Sequence, residues 1–229
     1  MPRTTPASGR PSVHACAMTP TMGDALRTAT AWEQREELLL AVLADELGAT
    51  GQPQPVVAGY LGGRVGLLVH PRATSPGERR HVELAEIALV LFGLGVDALA
   101  HASTGRVRPL PGRGPIARPE VDDEAGARFA RMARRTTEIA QLFSARRVDG
   151  AMQVEPTVLV PRRGRRLVLD ARLRMEPPDG GLVVDTWRTA LTGNGRRFPD
   201  PRELLALLVA GGHQVVLAPD AADLLGVTA

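Results

Sequence analysis

The sequence predicts an α+β fold, an antiparallel or mixed sheet with helices packed on it, and three observations carry that prediction. Apolar residues recur at spacings of three and four in some segments and form short β-branched runs in others. Neighbouring runs are joined by tight glycine-rich turns, which favours antiparallel pairing over a doubly wound sheet. The chain has 229 residues, of which 44% are apolar, enough to bury a sizeable core without disulfides or metals.

The first expected element is a helix from Asp24 to Leu47. Asp24 serves as N-cap, Trp32, Leu39, Leu43 and Leu47 share one face, and Gly48 lies just past the end. Val56–Tyr60 and Val65–Val69 flank Leu61-Gly62-Gly63-Arg64, the signature of a hairpin whose turn needs positive φ. Pro71 ends its second strand. Ser75-Pro76 then opens a helix with Glu78 completing a capping box, and Leu84, Ile87, Ala88 and Leu91 form its apolar stripe. Gly93 and Gly95 stop it, and Val96–Arg108 reads as a strand.

Leu110–Glu120, with three prolines and two glycines, reads as an exposed loop. A third helix is expected from Asp123 to Ser144, because Phe129, Met132, Ala133, Thr136, Ala140 and Phe143 recur at helical spacing. A β-meander follows. Val154–Val160 and Leu167–Leu173 flank an arginine-rich tip, Pro177–Gly181 turns the chain, and Leu182–Leu191 forms a third strand through Trp187. Gly193-Asn194-Gly195 is another turn. Asp200-Pro201 caps a short helix that ends before Gly211-Gly212. Val215–Leu217 is a last strand and Asp220–Leu225 a last helical turn.

Domain organisation follows from this order. Residues 1–22, rich in Pro, Thr, Ser and Ala, are expected to form a mobile tail. Residues 23–229 are expected to form one domain, with possible sub-units 23–109 and 121–229 joined by the loop 110–120.

Composition narrows the function classes. A single cysteine, Cys16, forbids an internal disulfide and any cysteine-based zinc or iron–sulfur site within one chain, and it fits a reducing, cytoplasmic compartment. No apolar run reaches the length of a membrane span, and no apolar core follows Arg3 and Arg10 as in a secretory signal. Aromatic residues make up 3%, so the core is aliphatic. Every basic side chain is arginine, the pattern of a GC-rich genome, and each arginine carries correspondingly less functional weight. Their distribution is uneven: residues 113–174 hold 14 Arg against 8 acidic residues.

Catalytic signatures fail one after another. The Gly59–Gly66 segment is glycine-rich but leads into a strand, whereas the dinucleotide fingerprint opens a helix, and a P-loop needs the lysine this chain lacks. The same lack removes the usual two-acid-and-lysine nuclease constellation. His81-Val82-Glu83 matches half of a zinc deaminase motif without its cysteine half. No G-x-S-x-G elbow occurs, Cys16 lies in the expected tail, and His101 with Ser103 is a weak pair on one strand. The one constellation left for an enzyme is His70, His81 and His101 with Asp97, all near expected element ends.

The arginines give a more concrete candidate. Arg128, Arg131 and Arg135 fall on one face of the expected third helix, and Arg162, Arg163, Arg165 and Arg166 crowd the hairpin tip. Guanidinium groups bind phosphates and carboxylates bidentately, so nucleic acid and an acidic protein are both chemically suited. The bland alternative is a solvated tip and helix face. No aromatics accompany the tip, which disfavours a single-strand platform.

The segment order from Val56 to Val209, with the Gly62-Gly63 turn, the Val96-Asp97-Ala98 strand start and Trp187, resembles small α+β proteins of actinobacteria and their phages. Those proteins have no assigned activity, so the resemblance implies a genome type and carries over no functional residue. The expectation is therefore a non-enzymatic interaction or accessory domain with a protein partner and no cofactor. Nucleic-acid binding through the arginines is the first alternative, and an enzyme with a His/Asp site the second.

Overall fold

A computed structural model describes residues 31–72, 77–106, 124, 128–129, 138–176, 182–192 and 200–226. The expected tail, the loop 110–120, the Ser75-Pro76 cap and the turns at 177–181 and 193–195 lie outside these residues. So do Asp24, Arg131 and Arg135.

A 3₁₀ turn at Trp32–Gln34 leads into α1, Arg35–Thr50. The helix runs through Gly48 and stops at Gly51, whose φ of 76° is left-handed and whose N–H bonds the Leu47 carbonyl at 2.9 Å. Gly51, not Gly48, is thus the terminator, because only there does the chain need a backbone that a Cβ would strain.

Strands β1 (Val56–Leu61) and β2 (Arg64–His70) form the expected hairpin. Gly62 and Gly63 have φ of 58° and 78°, the two positive values of a type I′ turn. Beyond the turn the register slips by one residue: Tyr60 opposes Val65, but Gly59 opposes Leu67, so Gly66 is an extra residue, a β-bulge. Helix α2 spans Gly77–Gly93, and β3 spans Ala98–Arg106.

The second half departs from expectation. Glu124, Arg128 and Phe129 are helical, but the expected helix does not reach Ser144: Glu138–Val148 is strand β4, paired along its length with β3 from Ala98↔Arg146 to Arg106↔Glu138. Ile139, Ala140, Leu142 and Ala145 are buried on both faces of this central strand, which erases the alternation that marks a half-exposed strand. Asp149 and Gly150, at φ of 50° and 80°, turn the chain into β5, Ala151–Val154. Next come β6 (Thr157–Arg163) and β7 (Arg166–Leu167). The expected strand Leu167–Leu173 is broken by a 3₁₀ turn at Leu169–Ala171, and β8 is Leu173–Met175.

The expected strand Leu182–Leu191 is instead helix α3, Leu182–Thr192. Its β-branched start suggested a strand, but Val184, Trp187 and Leu191 are buried at spacings of three and four, and packing overrides local propensity. Trp187 lies against Phe143 of β4, ring centroids 4.9 Å apart. Helix α4, Pro201–Ala210, begins as expected, with Asp200 accepting the Arg202 N–H at 2.8 Å and proline at the first helical position. Strand β9 (Gln214–Leu217) and helix α5 (Pro219–Leu224) complete the described chain.

The fold is α+β, with five helices and nine strands among the described residues. The strands pair antiparallel in the order β7-β6-β4-β3-β1-β2-β9, with β5 on β4 and β8 on β6. Strands from both sides of the loop 110–120 share this sheet, because β3 and β4 are neighbours. Helix α1 covers one face, where Leu39 and Leu43 meet Tyr60, Leu68, Ala100, Leu142 and Val160. Helices α2, α3 and α4 cover the other, where Ile87, Leu91, Trp187 and Leu208 meet Val57, Leu67 and Leu99. Ala98, Ala100 and Ala102 make a low ridge toward α1, so the leucines of that helix seat directly on the sheet. No described helix is long and apolar enough to cross a membrane.

Candidate functional site

The arginine tip is a two-residue turn, Gly164-Arg165, between β6 and β7, with Gly164 at φ 60°. Its four arginines divide into two pairs. Arg162 donates from Nη2 to the Gly51 carbonyl at 2.7 Å and from Nε to the Gly164 carbonyl at 2.8 Å, and lies 3.5 Å from Glu138. The Arg165 guanidinium lies over Gly51, so close that a Cβ there would come within 3.1 Å of its Nε. Both cations therefore sit at the C-terminal end of α1, where free carbonyls and the helix dipole concentrate negative charge. Arg163 and Arg166 are cross-strand partners and are exposed.

Arg128 binds Asp170 at 2.6 Å, on the 3₁₀ turn after β7. Two further arginines, Arg172 just before β8 and Arg174 within it, escaped notice in the sequence. Arg174 donates to Glu36 of α1 at 2.9 Å, and Arg172 lies 3.7 Å from Glu36 and 3.6 Å from Glu37. Their signal was the Arg-x-Arg spacing in an extended segment, which lets both reach Glu36. On the α1 side of this edge Arg162, Arg172 and Arg174 are thus tied to the helix or to Glu36, Glu37 and Glu138, while Arg163 and its partner Arg166, one position on from Arg162, face the other way.

His70 and His101 do not converge. His101 and Val69 flank Val57 in one cross-strand row, and that row faces α2 and α3. His70 is the next residue along β2, so it points to the opposite face, toward α1. Asp97 precedes β3 at the far end from His101, accepting the Gly62 N–H at 3.2 Å. His81 belongs to α2. The sequence-derived site of His70, His81 and His101 with Asp97 is therefore not assembled as a whole, because His70 and His101 lie on opposite sides of the sheet.

His70 and His213 instead have local partners. His70 is buried, its Nδ1 3.5 Å from Glu46 Oε1, while Glu46 Oε2 accepts the Gln54 N–H at 2.8 Å. Burial holds the His70 pKa below the ordinary histidine range, against the pull of the Glu46 carboxylate and the Pro55 carbonyl. His213 precedes β9, and its Nδ1 accepts the Arg72 backbone N–H at 3.1 Å.

A second polar cluster lies where α1 begins. Arg35 donates to Ser144 Oγ at 3.0 Å and to the Trp32 carbonyl at 3.2 Å, lies 3.6 Å from Glu155, and stacks 4.4 Å above the Trp32 ring. Arg146 reaches the other oxygen of Glu155 at 3.3 Å. Tyr60 meets Trp32 edge-on at 5.1 Å, and its hydroxyl is buried without a hydrogen-bond partner. That burial pushes the phenol far above its usual range. The cluster ties the start of α1 to β1 and β4.

Comparison with protein families, curated proteins and solved structures gives no match.

Proposed function

We propose that this protein is a non-enzymatic binding module that holds an acidic segment of a partner protein along the arginine-lined edge of its sheet. The observation that carries this reading is the pair Arg163 and Arg166, cross-strand partners that are both exposed at the tip. Arg162 and Arg165 hold the tip against α1, so the exposed pair is presented on a braced support. Guanidinium forks bind carboxylates bidentately, and a surface fixed in advance loses less entropy on binding.

Acids on the same edge favour a protein partner over nucleic acid. Glu138 and Asp170, paired with Arg162 and Arg128, add negative charge to this edge and would repel a continuous phosphate backbone, whereas a mixed-charge protein surface can complement them. A cytoplasmic location accords with the single cysteine.

The test is fluorescence anisotropy at low salt with a labelled Asp/Glu peptide and a labelled DNA duplex, using the full chain and Arg163→Glu/Arg166→Glu. The peptide should bind more tightly than the duplex, and the charge reversal should weaken it about tenfold or more. Tighter binding of the duplex, with a salt slope that the variant flattens, would assign the edge to nucleic acid instead. Binding of neither probe by the unaltered chain would overturn the reading.

A further inference from the structure

We infer that His213 is a proton-sensitive latch that fastens the start of edge strand β9 to the end of β2. The geometry lies in one hydrogen bond. The Arg72 N–H, two residues past β2, donates to His213 Nδ1 at 3.1 Å, one residue before β9 begins at Gln214. A ring nitrogen that accepts a backbone N–H carries no proton, so this bond requires the neutral imidazole with its hydrogen on Nε2. The other ring edge, Cδ2 and Nε2, faces Gly211, where a Cβ would lie 3.1 Å from either atom, so the ring orientation is fixed from both sides.

Protonation replaces the acceptor with a second N–H aimed at the first. The bond is lost, and the backbone pairing from His70↔Gln214 to Leu67↔Leu217 loses its side-chain anchor. Partial burial and the charge of Arg72, whose side-chain methylenes rest against Gly212, both resist the new charge, while Glu83 and Glu86 of α2 favour it. Burial outweighs the rest, so the ring titrates below the ordinary histidine range. The Arg72–Glu83 ion pair at 3.6 Å and the His213 N–H bond to the Leu208 carbonyl at 3.1 Å remain, so acid loosens the strand end without dismantling the turn.

Amide hydrogen exchange at Arg72 and across β9, corrected for intrinsic rates, tests this in the full chain. Protection should fall about fivefold between about pH 8 and about pH 5, the equivalent of one neutral hydrogen bond. His213→Asn, whose Oδ1 can replace Nδ1 as acceptor, should keep protection at both pH values apart from the share that His70 titration removes in every variant. His213→Ala should lose it at both. His70 is intact and titrates alike in every variant, so the difference between variants isolates His213. PH-independent protection in the unaltered chain, or an unchanged pH response in His213→Asn, would overturn the inference.

Discussion

At the scale of single residues, the buried polar groups make the sharpest predictions. The Tyr60 hydroxyl is desolvated and unpartnered, which costs about 1–3 kcal/mol relative to a satisfied group. Tyr60→Phe keeps the edge-on contact with Trp32 and removes that cost, so its urea midpoint should equal or exceed that of the unaltered chain. His70 gives a pH dependence of definite sign. Its folded pKa lies below the ordinary histidine value of 6.5, so the unfolded chain binds more protons in the window between the two. The His70 contribution is full above pH 6.5 and is lost as pH falls below it. His70→Gln should therefore flatten the fall in urea midpoint on acidification. Neither feature was legible beforehand. The sequence lists five histidines and one tyrosine but not the faces they occupy, and one residue's difference in register separates His70 from His101.

At the scale of elements, the tip arginines should separate into two classes. Arg162→Ala removes two hydrogen bonds and a charge at the end of α1, and should destabilise by about 1–3 kcal/mol in urea unfolding. Arg163→Ala should stay within about 0.5 kcal/mol of the unaltered chain, as exposed substitutions do. Equal losses at both positions would mean that the tip does not brace the helix. The tip itself was readable, because Gly164 amid arginines between apolar runs marks a turn. So were the Gly62-Gly63 hairpin, the stripe of α2, and the Asp200-Pro201 start of α4. Elements covered on both faces were not. In β4 the burial of successive residues mimicked helical spacing, and the decisive local cue, Asp149-Gly150 as a type I′ hairpin turn, lay just beyond the expected helix. In α3 the run Leu182-Val183-Val184 favoured a strand until Trp187 and Leu191 found their places under the sheet.

At the scale of the whole molecule, the pairing of β3 with β4 makes one sheet out of both halves of the sequence. Each half would leave a long strand edge and one side of Ala100 or Leu142 bare, so a fragment ending at Arg106 should not fold alone, as far-UV circular dichroism and urea titration would show. The intact chain should unfold in a single transition, with tryptophan fluorescence and circular dichroism coinciding, since Trp32 and Trp187 report on opposite faces. Two separated transitions would show that the faces melt independently. The α+β class could be read from turn chemistry and period alone. The strand order could not, because nothing local specifies that β9 returns to lie beside β2.

The additional residue in β2 ties that return to the hairpin. On either side of Gly66, Val65 and Leu68 face α1 while Leu67 and Val69 face away, so removing Gly66 would leave the inside and outside of the strand correctly sorted. What disappears is the carbonyl that accepts the Ala218 N–H at 2.8 Å, the point where the chain leaves β9 for α5. A single-codon deletion there should spare the core yet unmoor the C-terminal stretch, which limited proteolysis would detect as new cleavage after β9. The spare glycine is thus a mooring cleat for a segment some 150 residues downstream, and the hairpin itself has no need of it.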